Sequence, residues 1–228
     1  MLTASRKLRQ TGTSSRNLTR SARIPPEKRD YRNVADAAKC QIPTRILLRH
    51  NTPMSDMDST ESYRCATCGK SHSGLPMSFA ADFPDMYANL KRDERDARAT
   101  IGSDQCIIDQ KWFFVRGCLE IPIVGRNESF LWGVWASVRE EVFDEISDCW
   151  EQHGRENLHG PFKGRLGNSL KVYPETLNLK VNILLQSVGT RPLFIVEEAE
   201  HPLAIEQESG ITLRAAMELA SLLLHTER

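Results

Sequence analysis

No acidic residue precedes Glu27, and the opening stretch "MLTASRKLRQTGTSSRNLTRSARIPPEKRD" lacks any sustained apolar period. A basic, Ser/Thr-rich segment of this kind cannot bury enough apolar surface to fold alone. Residues 1–53 hold twelve Lys and Arg against three Asp and Glu, so the net charge of zero divides into +9 there and −9 in residues 54–228. Three readings of 1–53 compete: an Arg-rich transit peptide, a nucleic-acid-binding arm, or sequence upstream of the true start. The third is favoured, because "MSDMDSTESYRC" at Met54 reads as an ordinary polar beginning.

Also missing is any apolar run near the ~18 residues of a membrane span, and any signal with charged, apolar and small-residue regions in order. The expectation is a soluble protein of the cytoplasm, with no membrane partner. Six cysteines (Cys40, Cys65, Cys68, Cys106, Cys118, Cys149) are few for a chain of 228 residues. Without a signal they favour thiols or metal ligands over a disulfide framework. Neither HExxH, nor GxSxG, nor a phosphate-binding loop occurs, which leaves hydrolase and kinase chemistry without a motif.

What is present begins with "CATCGKSH" at residues 65–72. Two cysteines separated by two residues can wrap zinc from one turn, and Gly69 suits the reversal. His72 could be a third ligand. The second CxxC that would close the tetrahedron is absent, so the fourth ligand must be distant, with Cys106 or Cys118 as candidates. A metal-free turn with two reduced thiols is the plain alternative. A redox site ranks below both, since no βαβ crossover follows.

Residues 61–228 read as one α+β domain, mainly antiparallel sheet with packed helices and an N-terminal knuckle-like turn. Pro84 can start a helix, followed by the charged stretch through Arg98. "QCIIDQKWFFVRGCLEIPIVG" reads as a short strand, a turn near Gln110 and Lys111, and a long strand. "SFLWGVWASV" pairs with it through "GRNE". "REEVFDEISDCWEQHG" switches to helical spacing, with Val142, Phe143, Ile146, Cys149 and Trp150 on one stripe and Gly154 as terminator. Three strands follow in "PFKGRLG", "LNLKVNILLQS" and "RPLFIVEEA". The last helix carries Thr212 as N-cap and a stripe of Leu213, Ala216, Met217, Ala220, Leu223 and Leu224. His201 reads as a turn residue.

Six ordered segments, "CATCGKSHSGLP", "CIIDQKWFFVRGCLEIPI", "FLWGVWASV", "YPETLNLK", "RPLFIVE" and "HPLAIEQESGIT", resemble the bacterial family known as domain of unknown function 2199. The resemblance runs from about residue 63 to 225 and leaves 1–53 outside. That family implies no activity.

On "KWFFVRGCLEIPI" the period of two puts Phe113, Val115, Leu119 and Ile121 on one face. Trp112, Phe114, Arg116, Cys118 and Glu120 fall on the other. With Trp132 or Trp135 from the next strand, Arg116, Cys118 and Glu120 could line a ligand pocket. The alternative is a structural Arg116–Glu120 ion pair. The leading expectation is a zinc-stabilised binding or interaction module for a protein or small-molecule partner. A metal- or pocket-dependent enzyme is the rival, and nucleic acid ranks last because the acidic remainder repels phosphate.

Overall fold

The computed structural model describes residues 62–64, 68–73, 76–158 and 160–226. The expectations for residues 1–53 and for Cys65 concern residues outside these. The fold is α+β, but its sheet closes on itself.

Strands β1 (Ser62–Arg64) and β2 (Ser71–Ser73) form a small antiparallel hairpin of their own. β3 (Ser78–Ala80), α1 (Asp85–Ala88), α2 (Arg92–Arg98), β4 (Ala99–Ile101) and β5 (Gln105–Ile108) follow. Pro84 caps α1. The charged helix α2 buries no residue and is tied down by Arg98, whose guanidinium donates to both Asp109 oxygens at 2.9 and 2.7 Å. Asp109 and Gln110 both take positive φ, the conformation that two-residue hairpin loops favour, and this turn delivers the chain into β6 (Trp112–Pro122).

β6 and β7 (Ser129–Val138) pair along their whole length, from Phe113–Val138 to Pro122–Ser129. α3 (Glu140–Asp148) then leads to β8 (Phe162–Leu166), β9 (Lys180–Leu184) and β10 (Leu193–Val196). From β6 to β10 each strand runs antiparallel to the one before. β10 then meets β6 at Leu193–Cys118 and closes a five-stranded barrel. An odd number of alternating strands leaves first and last pointing the same way, which is why that one closure is parallel.

The long hairpin serves two sheets at once. β5 occupies the outer edge of β6 at Trp112–Val115, and β10 takes over near Cys118. Likewise β3 lies parallel on β7 at Leu131–Gly133, and β8 pairs at Ala136 and Ser137. Gly117 and Gly133 stand at these forks for lack of room. A Cβ on Gly117 would lie 2.4 Å from the Phe194 ring, and one on Gly133 would lie 2.8 Å from the Ala80 Cβ.

Both faces of the hairpin are covered. The large core holds Val115, Leu119, Ile121, Phe130, Trp132, Val134, Val181, Ile183 and Phe194. α3 contributes Phe143 and Ile146, each worth about 1.5–3 kcal/mol when withdrawn from water. The smaller core, Cys106, Ile108, Phe114 and Trp135, lies under Ala81, Tyr87, Leu90, Ala99 and Ile101. The expected helix at the C-terminal end is α5 (Leu213–Thr226), whose Thr212 hydroxyl accepts from the Ala215 N–H at 3.2 Å. Ala216 and Ala220 of its stripe are fully buried, whereas Leu224 is exposed.

One helix departs from the sequence reading. α4 (Pro202–Ser209) begins where a turn was expected. His201 is its N-cap: the imidazole Nδ1 accepts from the Leu203 N–H at 3.1 Å, and Pro202 takes the first helical position, where no N–H is needed. Among the described residues no helix is long and apolar enough to cross a membrane.

Candidate functional site

The expected pocket face splits apart. Leu119 pairs with Trp132 and Arg116 with Trp135, so Trp132 shares the large-core face with Leu119 and not the face of Arg116. The aromatic neighbour of Arg116 is Trp135, with the guanidinium 5.6 Å from its ring. The Arg116–Glu120 pair does not form. Glu120 accepts from the Ser129 hydroxyl at 2.7 Å, while Arg116 donates to the carbonyls of Ala81 (3.1 Å) and Ser103 (3.4 Å). Residues four apart on an extended strand are too distant to meet. Cys118 is disulfide-bonded, against the expectation of a free thiol, with its partner outside the described residues.

Cys106, expected as a distant metal ligand, is fully buried among Ile108, Phe114 and Trp135. Burial pushes its thiol up to about 12. Cys68 is half-buried, and the backbone of His72 pairs with Tyr63 in the first hairpin. Gly69 takes a left-handed φ of +68°. The His72 side chain lies outside the described residues. Among the described residues no three His, Cys, Asp or Glu side chains form a metal-holding group.

A cleft of about 290 Å³ lies where three loops meet, and Arg116 is not among its lining residues. The β4–β5 turn supplies Ser103 and Asp104; its Asp104 carbonyl accepts the Arg116 N–H at 2.8 Å. The end of α3 supplies Trp150, Glu151 and Arg155, and the β9–β10 loop supplies residues 188–191. Asp104 and Arg191 form a buried ion pair at 2.7 Å, and the Ser103 hydroxyl donates to the other Asp104 oxygen at 2.6 Å.

Arg155 holds the cleft together. It is 1% exposed, and its guanidinium donates to the carbonyls of Trp150 (2.5 Å), Gln186 (2.7 Å), Thr190 (2.8 Å) and Ser187 (3.4 Å). It also lies 4.8 Å from the Trp150 ring centre. Burial pulls its pKa below the usual arginine value, against the opposing influence of Cys149, Glu151, Glu156 and Asp104 nearby. The sequence reading missed Asp104, Trp150, Arg155 and Arg191 as a group. Arg191 stands in the "RPLF" segment and Trp150 on the α3 stripe, but nothing in their spacing joins them.

A second polar knot sits against the large core. The Tyr173 hydroxyl donates to Glu206 at 2.5 Å, and burial foremost, then Glu206, raises its pKa well above the ordinary phenol. Its ring meets Trp132 edge-on at 6.4 Å, and the Trp132 indole N–H is buried without a hydrogen bond. His201 Nε2 lies 3.1 Å from the Pro174 carbonyl, so the "YPET" and "HPLAIEQ" segments are fastened to each other.

The family described as uncharacterized protein conserved in bacteria, domain of unknown function 2199, matches residues 64–211. No curated protein and no solved structure matches the chain. The matched stretch runs from the last residue of β1 through β2, the whole barrel and α4, which is more than half of the sequence. The chain therefore belongs to the bacterial family of domain of unknown function 2199.

Proposed function

We propose that this protein is a binding module whose ligand site is the cleft between the β4–β5 turn, the end of α3 and the β9–β10 loop. The observation that carries the reading is the cavity itself: about 290 Å³, walled by Trp150 and edged by the Asp104–Arg191 pair. An aromatic wall with a few fixed polar groups, at the low end of ligand-pocket volumes, suits a small molecule. Binding is favoured over catalysis because the Asp104 carboxylate is already held by Arg191 and the Ser103 hydroxyl, and the other lining carboxylate, Glu151, is exposed to solvent. The test is a screen of small neutral, cationic and anionic molecules against the full chain by amide NMR. Shifts should cluster at Ser103, Asp104, Glu151 and Gly189–Arg191, and binders that all map elsewhere would defeat the reading.

A zinc knuckle at Cys65, Cys68 and His72 is the second reading. It is supported by the hairpin register Arg64–Ser71 around the CxxC loop and by the left-handed Gly69. Zinc there would act structurally, its binding energy adding to the folding of that hairpin. Chain purified without chelator should carry close to one zinc, lost in Cys65→Ser and kept in Cys149→Ser. Protein without metal after refolding with zinc, or with Cys65 recovered in a disulfide, would rule the knuckle out.

A further inference from the structure

The charges facing the cleft are unequally buried. Two guanidinium groups, Arg155 at 1% and Arg191 at 5% exposure, meet one half-buried carboxylate, Asp104, and one exposed carboxylate, Glu151. Asp104 is already engaged, one oxygen with Arg191 Nε and the other with the Ser103 hydroxyl. Arg155 faces only carbonyl oxygens, which satisfy its hydrogen bonds but carry no net charge. A buried cation held this way has lost its hydration without a full Coulombic offset, and a nearby anion supplies one. Its five N–H groups meet four acceptors, so one donor on Nη1 is left over. The half-buried Thr190 hydroxyl makes no hydrogen bond among the described residues and adds a second donor at the same wall.

We infer that the cleft takes a small organic anion, its carboxylate or phosphate directed toward Arg155 and Thr190 and its planar part against Trp150. The inference rests on the binding reading above. Residues 54–228 carry −9, so the body as a whole repels anions and the attraction must come from the two guanidinium groups that are buried here while Glu151 is exposed to solvent. Exposed Glu151 on the rim opposes it.

Benzoate, benzamide and benzamidine share a ring and differ in charge from −1 through 0 to +1, and inorganic phosphate supplies the other headgroup. All four are titrated into the full chain while the amides of Gly189 and Thr190 and the Trp150 indole N–H are followed by NMR. Benzoate and phosphate should saturate these signals, with benzamide at least about tenfold weaker and benzamidine weaker still. A response to benzoate alone assigns a carboxylate ligand, and a response to phosphate alone assigns a phosphate ester. Glu151→Gln, a change at an exposed site, should tighten the anions about two- to fivefold and leave benzamide unchanged. Benzamide or benzamidine saturating the same signals as tightly as benzoate overturns the anion while the binding site stands. Silence of these signals with all four probes, together with a screen that finds nothing at the cleft, overturns both. Anion shifts spread over the surface and unchanged by Glu151→Gln mark non-specific binding and overturn the inference.

Discussion

Cys106 and Cys68 are chemically the same group in two surroundings. Cys106 sits at zero exposure on β5, and its thiol is pushed from 9.0 up to about 12 by burial. The folded state thus holds that proton more tightly than the unfolded chain does. Its contribution is intact below about pH 9 and is lost as pH rises from 9 toward 12, by about 1.4 kcal/mol per pH unit. Tyr173 acts in the same direction above its ordinary value of 10.0. Urea midpoints measured from pH 8 to 10.5 should fall in the wild type and fall less steeply in Cys106→Val, whose side chain fills similar space without titrating. At pH 8, iodoacetamide should leave the fully buried Cys106 untouched until the protein unfolds. Identical alkaline slopes in wild type and variant would show that Cys106 is not buried as described.

At the scale of elements, the decisive feature is the forked β6–β7 hairpin. β6 exchanges its outer neighbour from β5 to β10 around Gly117, against which the Phe194 ring packs directly. Gly117→Ala places a methyl 2.4 Å from that ring and 2.7 Å from the Pro192 carbonyl. Overpacking of this kind costs about 1–3 kcal/mol, or more where backbone must move. Phe194→Leu should recover part of the loss, because it removes the aromatic edge, and a double-mutant cycle by chemical denaturation would read a favourable coupling. No coupling would mean that the ring yields elsewhere. Gly133 guards the matching fork on β7, where Ala80 of β3 approaches its backbone.

Across the whole molecule, the barrel and its attached sheet are held unequally. β6 and β7 are enclosed by both cores, whereas α2 buries nothing and α1 is a single turn. Native-state hydrogen exchange should therefore be slowest at Val115, Leu119, Val134 and Ala136 and fast through residues 92–98, even though the latter are helical. Exchange in α2 as slow as in β7 would contradict that ranking. The cleft proposed to bind a ligand lies where loops from the attached sheet, from beyond α3 and from the barrel converge, and Arg155 ties two of those loops through carbonyls of residues 150 and 186–190. Ligand binding should accordingly slow exchange in the 186–191 loop more than in β6 or β7.

Local chemistry was enough to read much of this chain. Alternating apolar residues on "KWFFVRGCLEIPI" specify β6, since successive side chains on a strand must face opposite ways. The 3.6-residue stripe of Phe143 and Ile146 specifies α3 for the equivalent helical reason. The ordered segments were sufficient to identify the family. Register was another matter: Trp132 and Trp135 lie three apart on one strand, and only pairing with β6 decides that Trp135 meets Arg116. Barrel closure depends on β10 reaching Cys118 across more than seventy residues, a contact no local period encodes. The cleft is legible least of all. Ser103, Asp104, Trp150, Arg155 and Arg191 come from three separate loops, each ordinary in composition, and their juxtaposition exists only once the tertiary structure has removed two arginines from water and left one without a carboxylate.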